Sequence, residues 1–541
     1  KGDLVCSSLR TSILLFAVLA AVLAAISALS LTKGGLYIAR HEGDVLHLLA
    51  IVLRMEQGQI PHVDFMTPIG AFAFLPIHGF MKQGFGVDQA VHWGQTSVAL
   101  ALLPLIWWAA WTRLTGIWAY VFGLACVFLC LALVHGQAVD AVSISMHYNR
   151  WAWALAYIAV VLAVLPARGR AFPVIDGAIV GVCVAALVMI KVTYVVGLAP
   201  ALIAGLLIRH SPRALIAALV AGLIVAAGVT LWGGFGFWLA YLGDLLTVTG
   251  SEVRPNPSLD LIGTLVTPAY FGGTVAALAA VILLRQGGAE QGGLLAFLLL
   301  PGFAFITYQN FANDPQWLVL LALIVLMLLP ETDEDAPQRR SLPFVAAVLL
   351  AFAAPIFINL GYSPVRHALV STETYAPILP NSPAHTGLQT ASVRANRIDG
   401  VIPLDGPGSN LEAYRDLVER AEPTVFQGET LPQCEVVLGL PGWMDGVAQD
   451  IEAAGFAGGG RIFVADIFAS HWMFNSQAPL VNGAPWYYGG LPGIDSSDHL
   501  LVPLCPALPP VREILIELLE DSGKTFTEVY RSPLYIMYSI S

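Results

Sequence analysis

The stretch PIGAFAFLPIHGFMKQ, residues 68–83, decides how this chain is threaded, because it is apolar enough to pass for a membrane span. A bilayer core asks for about 20 apolar residues in a helix. Here Pro76, Gly79 and Lys82 interrupt a run that is already short. We therefore read the segment as an interfacial or re-entrant helix that does not cross. A crossing at this point would invert every later loop.

Working outward, apolar runs at 11–32, 91–111, 117–134, 148–167, 174–190, 192–208, 214–232, 261–284, 292–308, 315–329 and 342–360 predict about eleven transmembrane helices. With the N-terminus in the cytoplasm, Arg113, Arg168, Arg170, Arg209, Arg213, Arg285, Arg339 and Arg340 fall in inner loops, as the positive-inside bias requires. The short outer loops then keep only Arg150, Lys191 and Arg254. The first run follows Lys1 and Arg10 but exceeds the roughly 7–15 apolar residues of a signal peptide, so it reads as a retained helix. An odd number of spans puts everything after residue 360 outside the cytoplasm. The expected architecture is a mainly α membrane protein, residues 1–360, with interfacial helices in its first outer loop, followed by a soluble α/β domain, 361–541.

Composition agrees with lipid as part of the solvent: of 541 residues, 57% are hydrophobic and 12% charged, and the mean hydropathy is +0.72. The net charge of -11 and the absence of any basic stripe argue against nucleic acid as a partner. Cys6, Cys126, Cys130 and Cys183 lie in or beside apolar runs as small buried hydrophobes. Cys434 and Cys505 lie in the soluble region and are able to pair in an oxidising compartment.

Three outer stretches carry polar residues beyond the needs of a linker. In the first loop, IARHEGDVLHLLAIVLRMEQGQIPHVDFMTPIG (38–70), Glu42 and Asp44 open a segment whose Leu46, Leu49, Ala50 and Leu53 recur at helical spacing. That spacing predicts an amphipathic helix on the membrane surface. The plain role of the acids is to favour a helix N-terminus, and that of Asp64, after Pro61 and His62, is to shape a turn. The second stretch, 135–149, holds Asp140, His147, Tyr148 and Asn149, with Arg150 opening the next span, where a snorkelling role is the plain alternative. Lys191, in MIKVTYVV (189–196), sits in a turn with almost no loop, so its charge lies at or just below the outer interface, where it is costly without a partner. The third stretch, TYQNFANDPQW (307–317), gathers Tyr308, Gln309, Asn310, Asn313 and Asp314, whose plain role is capping helix ends.

These residues resemble the polytopic GT-C class of glycosyltransferases, in particular bacterial members related to the dolichyl-phosphate-mannose and aminoarabinose transferases. The resemblance rests on Glu42 with Asp44, then Gly58, Pro61 and Asp64, then Pro68; it spans about 34–86, with looser likeness in HYNRW (147–151), IKVTY (190–194) and QNFANDP (309–315). One departure stands out: relatives carry Asp-Glu where this chain has His41-Glu42, so the usual first acid is either replaced by histidine or shifted to Asp44. The resemblance implies a sugar donor on polyprenyl phosphate, or pyrophosphate, and action on the periplasmic side of a bacterial inner membrane.

The implied chemistry is transfer of the sugar to a hydroxyl on a glycan, lipid or protein acceptor, with inversion. A carboxylate must take the acceptor proton; Asp44 is the first choice, Glu42 or Asp64 the second. Fixed cations must meet the charge growing on the leaving phosphate; Lys191 and Arg150 are the candidates. His41, His62, His147, Tyr148, Asn149, Gln309, Asn310, Asn313 and Asp314 are the candidate donor or acceptor contacts. A divalent cation, Mg2+ or Mn2+, held by Glu42, Asp44 and Asp64 is an open option. A multi-pass transporter is the main alternative and would place polar residues at the bilayer midplane; an inactive assembly subunit is another. In the soluble domain, strands are expected at 435–438, 461–465 and 534–538 and helices at 411–421 and 511–520. Gly458–Gly460 reads as a turn, and Trp472, Trp486, Tyr487 and Tyr488 as core or lipid-surface contacts rather than sugar platforms.

Overall fold

A computed structural model of the chain describes residues 2–209, 212–253, 260–310, 313–329, 337–406, 410–417, 423–458 and 460–541. The segment 68–83 forms no helix long enough to span a bilayer. It forms a 3-10 turn, Ala71–Ala73, and a short helix, Leu75–Met81, whose seven residues reach only about 10 Å. Its Ile77, His78 and Met81 are buried.

In chain order the helices are α1 (Gly2–Thr32), α2 (Glu42–Glu56), α3 (Leu75–Met81), α4 (Val87–Arg113), α5 (Ile117–Leu131), α6 (His147–Val164), α7 (Pro173–Ile190), α8 (Val192–Arg209) and α9 (Pro212–Gly233). Then come α10 (Gly236–Thr249), α11 (Leu261–Leu265), α12 (Pro268–Gln286), α13 (Glu290–Gln309), α14 (Trp317–Met327) and α15 (Pro337–Ala368). Among the described residues, α1, α7, α8, α9, α12, α13 and α15 contain stretches long and apolar enough to cross a membrane. The chain is a membrane protein. α6 and α14 are wrapped by their neighbours, with nearly every residue buried, so their apolar surface meets protein.

One expectation needs correction here. The run 261–284 is not one helix: it breaks at Val266 and Thr267, because Thr267 precedes Pro268 and takes an extended backbone, while Pro268 opens α12. The segment 236–249, to which the sequence reading assigned no element, is the helix α10, with Leu239, Leu242 and Leu246 exposed.

The long helices alternate in direction, and contacts tie their ends into two sets. At one end, buried Arg113 of α4 donates to Asp176 of α7 at 2.6 Å, and Trp108 donates to the other carboxylate oxygen at 2.8 Å. Removing the cation alone, as in Arg113→Ala, leaves a carboxylate that is 1% exposed. We expect a loss of about 3–5 kcal/mol in thermal unfolding, whereas Arg113→Met with Asp176→Leu should cost far less. At the other end, the first loop meets the α7–α8 turn directly: Gly70 N–H donates to the Ile190 carbonyl at 3.0 Å. A Cβ at Gly70 would stand 2.1 Å from the Met189 carbonyl oxygen, so only glycine permits this approach.

The region after α15 closes over that second end. α15 itself runs to Ala368, past the expected boundary at 360. Strand β1 (Leu36–Ile38) from the first loop pairs in parallel with β3 (Leu388–Ala391), and β2 (Tyr375–Pro377) pairs antiparallel on the other side of β3. Strand β4 (Asp399–Val401) pairs with β7 (Glu435–Leu438), and β5 (Val425–Phe426) with β6 (Glu429–Thr430). A four-stranded sheet has the order β10 (Phe526–Arg531), β11 (Tyr535–Ile540), β9 (His499–Pro503), β8 (Ile462–Val464). Alternation along its strands serves two faces. Leu501, Tyr535 and Met537 pack on Val447 and Ile451 of the helix Leu440–Ala453. Leu500, Val502, Ile536 and Tyr538 join the main core, as do Val511, Leu515 and Leu519 of the helix Pro509–Asp521.

Of the expected elements, strands lie at Glu435–Leu438, Ile462–Val464 and Tyr535–Ile540 and a helix at Pro509–Asp521, while 412–417 is a 3-10 helix; the helix Leu440–Ala453 and strands β9 and β10 were not expected. Trp472, Tyr487 and Tyr488 are buried core residues. Cys434 and Cys505 form a disulfide. Arg254, Gly459 and the end of the 411–421 segment lie outside the described residues, as do the side chains of Cys6 and Arg339.

Helix α2 also departs from expectation. It was expected to lie on the membrane surface with a wet face, yet almost all of Val45 to Met55 is buried. The reason is the domain above it. Arg54 donates to the Leu480 carbonyl at 2.9 Å and lies against the rings of Phe65 and Trp472, 5.5 and 5.6 Å from their centroids. It is wholly buried, and burial pushes its pKa down to about 9.

Candidate functional site

The site forms where α2 and α6 begin. Each starts from a residue in the left-handed region, His41 (φ 67) and Met146 (φ 52), a conformation that costs a non-glycine residue about 1–2 kcal/mol. Asp44 stands in the first turn of α2, and Ser145 donates its hydroxyl to Asp44 Oδ2 at 2.5 Å. Ser145 in turn is hydrogen-bonded to His135 Nδ1 at 2.8 Å, and Ser143 to His41 Nδ1 at 3.0 Å. The two imidazoles lie against each other, tilted by 31°, with centroids 4.5 Å apart. Burial lowers the pKa of both; His41 is partly held up by Asp44 and Glu42, while His135 falls to about 3. Both rings are thus neutral at pH 7.

Asp44, His47, Ile69, Phe74, His147 and Tyr148 line a small cavity of about 20 Å3. His147 Nε2 is hydrogen-bonded to the Ala73 carbonyl at 2.8 Å, fixing the start of α6 against the loop. Tyr148 carries the site across to α7 and α8, because Lys191 Nζ lies 5.7 Å from its ring centroid. Lys191 also donates to Asn310 Oδ1. Asn310 Nδ2 donates to the Tyr194 hydroxyl at 3.4 Å, and Tyr194 donates to the Asn149 carbonyl at 3.1 Å. The side-chain amide of Asn149 is buried, and neither its nitrogen nor its oxygen has a partner among the described residues. His41, Asp44, His147, Tyr148, Asn149, Lys191 and Asn310, drawn from four separate stretches, therefore form one continuous cluster.

Other candidates go elsewhere. Glu42 is buried and accepts from Arg394 Nε at 2.9 and 3.1 Å. Asp64 Oδ2 accepts from the Ile60 N–H at 2.6 Å and closes its own turn. The carboxylates proposed as a metal triad thus face different partners, and among the described residues no three His, Cys, Asp or Glu side chains converge as a metal site. Arg150 is fully buried, with its guanidinium donating to the carbonyls of Ala132, Val134, His135 and Ser145. In that position it shapes the 132–146 loop from within. Gln309 is exposed. Asn313 Nδ2 contacts Met146 Sδ at 3.6 Å, and Asp314 Oδ2 accepts from the Ala138 N–H at 2.5 Å, with burial raising its pKa.

His62, also in the left-handed region (φ 71), pairs with a residue the sequence had not singled out. Its Nδ1 is 2.8 Å from Asp244 Oδ2 on α10, and the Thr67 N–H donates to the same oxygen at 3.0 Å. Asp244→Ala should free the 60–67 turn, read as faster exchange of the Thr67 amide and a loss of about 1–3 kcal/mol in stability. The sequence left Asp244 unread because it lay in a segment not recognised as a helix. Ser143 and Ser145 lie in a turn, the Ser145 N–H donating to the Ser143 hydroxyl at 3.1 Å, and carried no signal in the sequence. Arg394 had none either.

No family model matches the chain, and a search of curated proteins found no match. Among solved structures, the chain is similar to one described as "Single-Particle Cryo-EM Structure of Arabinofuranosyltransferase AftD from Mycobacteria", with 14% sequence identity and a TM-score of 0.40. The match covers 96% of this chain and 39% of that one, so this chain spans well under half its length. At that level of likeness the functional reading has to come from the site itself.

Proposed function

We propose that the chain is a membrane glycosyltransferase that moves a sugar from a polyprenyl-phosphate donor to an acceptor hydroxyl on the periplasmic side, with inversion. The observation that carries this reading is Tyr148, which lines the Asp44 cavity and lies beneath Lys191, bringing a carboxylate and a cation to one aromatic residue. Asp44 is the base. With Oδ2 engaged by Ser145, Oδ1 is left for the acceptor proton. As the acceptor oxygen bonds to the anomeric carbon, the bond to the phosphate oxygen breaks and its electron pair stays on the phosphate. Lys191 meets that charge. Glu42 positions Arg394 rather than acting as base.

The bundle supplies a place for the lipid. A groove of about 480 Å3 between α7, α8 and α9, lined by apolar residues such as Val184, Leu202 and Leu223, reaches Met189 and Val195 beside Lys191. Its apolar walls suit a prenyl chain and offer nothing to a polar cargo, which weighs against the transporter reading. The Cys434–Cys505 disulfide favours an oxidising compartment for the C-terminal region. The two non-glycine left-handed residues at the helix starts fit a strained functional site.

The test is reconstitution in liposomes with a panel of polyprenyl-phosphate sugars and candidate acceptors. Transfer that depends on Asp44 supports the reading. Absence of transfer from every donor, or undiminished transfer by a folded Asp44→Asn protein, would sink it.

A further inference from the structure

A second cleft, of about 440 Å3, opens where the first loop meets the C-terminal region. Its lining includes Arg40 and Arg394 together with Leu438, Leu440 and Phe468. Arg394 is pre-set: its Nε is held by both oxygens of buried Glu42, while its two terminal nitrogens have no bond among the described residues. Arg40 is exposed and has no partner among the described residues either. His41 also borders the cleft, and burial keeps it neutral at pH 7. Two guanidinium groups against one carboxylate leave a net positive charge in a cleft that also holds apolar side chains and an aromatic ring.

We infer that this cleft binds an anionic sugar residue of the acceptor, one carrying a carboxylate or phosphate group. The inference rests on the transferase reading only for the word acceptor. A planar guanidinium fixed through Nε presents its terminal nitrogens as a fork that matches a carboxylate or phosphate. Phe468 and the leucines supply the surface on which the apolar face of a sugar ring packs. Because the cleft shares His41 to Gly43 with the start of α2, an acceptor anchored there lies next to the helix turn that carries Asp44.

Binding is tested without any donor, so the result is independent of transfer. The full-length protein in nanodiscs is titrated with penta-galacturonate, with maltopentaose as the neutral control and inorganic phosphate as a third arm. The expected result is that the uronate binds, weakens with rising salt, and is displaced by phosphate, while maltopentaose binds at least about tenfold more weakly. Arg40→Gln should weaken uronate binding about tenfold. Arg394→Lys keeps a cation for Glu42 but removes the fork, so it should weaken binding to a similar degree at an unchanged melting temperature. Equal affinity for the neutral and acidic oligosaccharides, or uronate binding unaffected by both variants, would overturn the inference. Uronate binding without any transfer activity would leave it standing and count against the transferase reading instead.

Discussion

Asp44→Asn is expected to lower the rate of sugar transfer by about 10²–10⁴-fold, the span that a positioned general base contributes. The substitution keeps the shape of the side chain, and its amide oxygen is still able to accept from Ser145, whose hydroxyl now contacts Oδ2 at 2.5 Å. The protein should therefore melt where wild type melts, and the donor should bind as before. The loss belongs in kcat, since the base acts only as the proton leaves. Glu42→Gln serves as the contrast. Its carboxylate faces Arg394, so its loss should show mainly in stability and acceptor affinity. If Glu42→Gln were the dead enzyme and Asp44→Asn the active one, the base would have been misassigned.

Lys191→Met carries the second large effect, about 10²–10³-fold in kcat, the cost of removing one preorganised group that stabilises developing negative charge. Methionine retains the length and the contact with Tyr148. What disappears is the charge and the bond to Asn310. Single-turnover measurements with a series of donors separate the two readings of the result. A phosphate-stabilising role predicts that the loss shrinks for donors whose leaving group is intrinsically better, whereas a merely structural role predicts one loss for all. Lys191→Arg, which keeps a cation, should recover part of the rate.

The order of the long helices was legible because each had to be paid for in apolar residues, and the turn at Lys191 because a charge between two apolar runs has few places to go. That 68–83 builds only short helical pieces followed from its interruptions. The sequence was less informative wherever a contact joined distant segments. Helix α2 has the periodicity of a surface helix, and nothing local announces that a region more than three hundred residues later will cover its polar face. For the same reason Glu42 read as a possible base, since its partner Arg394 lies far along the chain. Asp44 and Lys191 were read from their own surroundings, and the structure brings both to Tyr148. Asp244 was missed because α10 is apolar with one acid, a pattern too short for a span and too greasy for a loop.

The coverage of α2 also bears on how the protein is made. The bonds that complete its surroundings span 352 residues from Glu42 to Arg394 and 426 from Arg54 to Leu480. During synthesis the loop is delivered early and waits, with its greasy and charged groups unmatched, until the last third of the polypeptide emerges. A ribosome stalled short of residue 480 would thus leave a bundle already threaded through the lipid but with no finished reaction chamber, and that unfinished loop is where quality-control proteases would find their purchase.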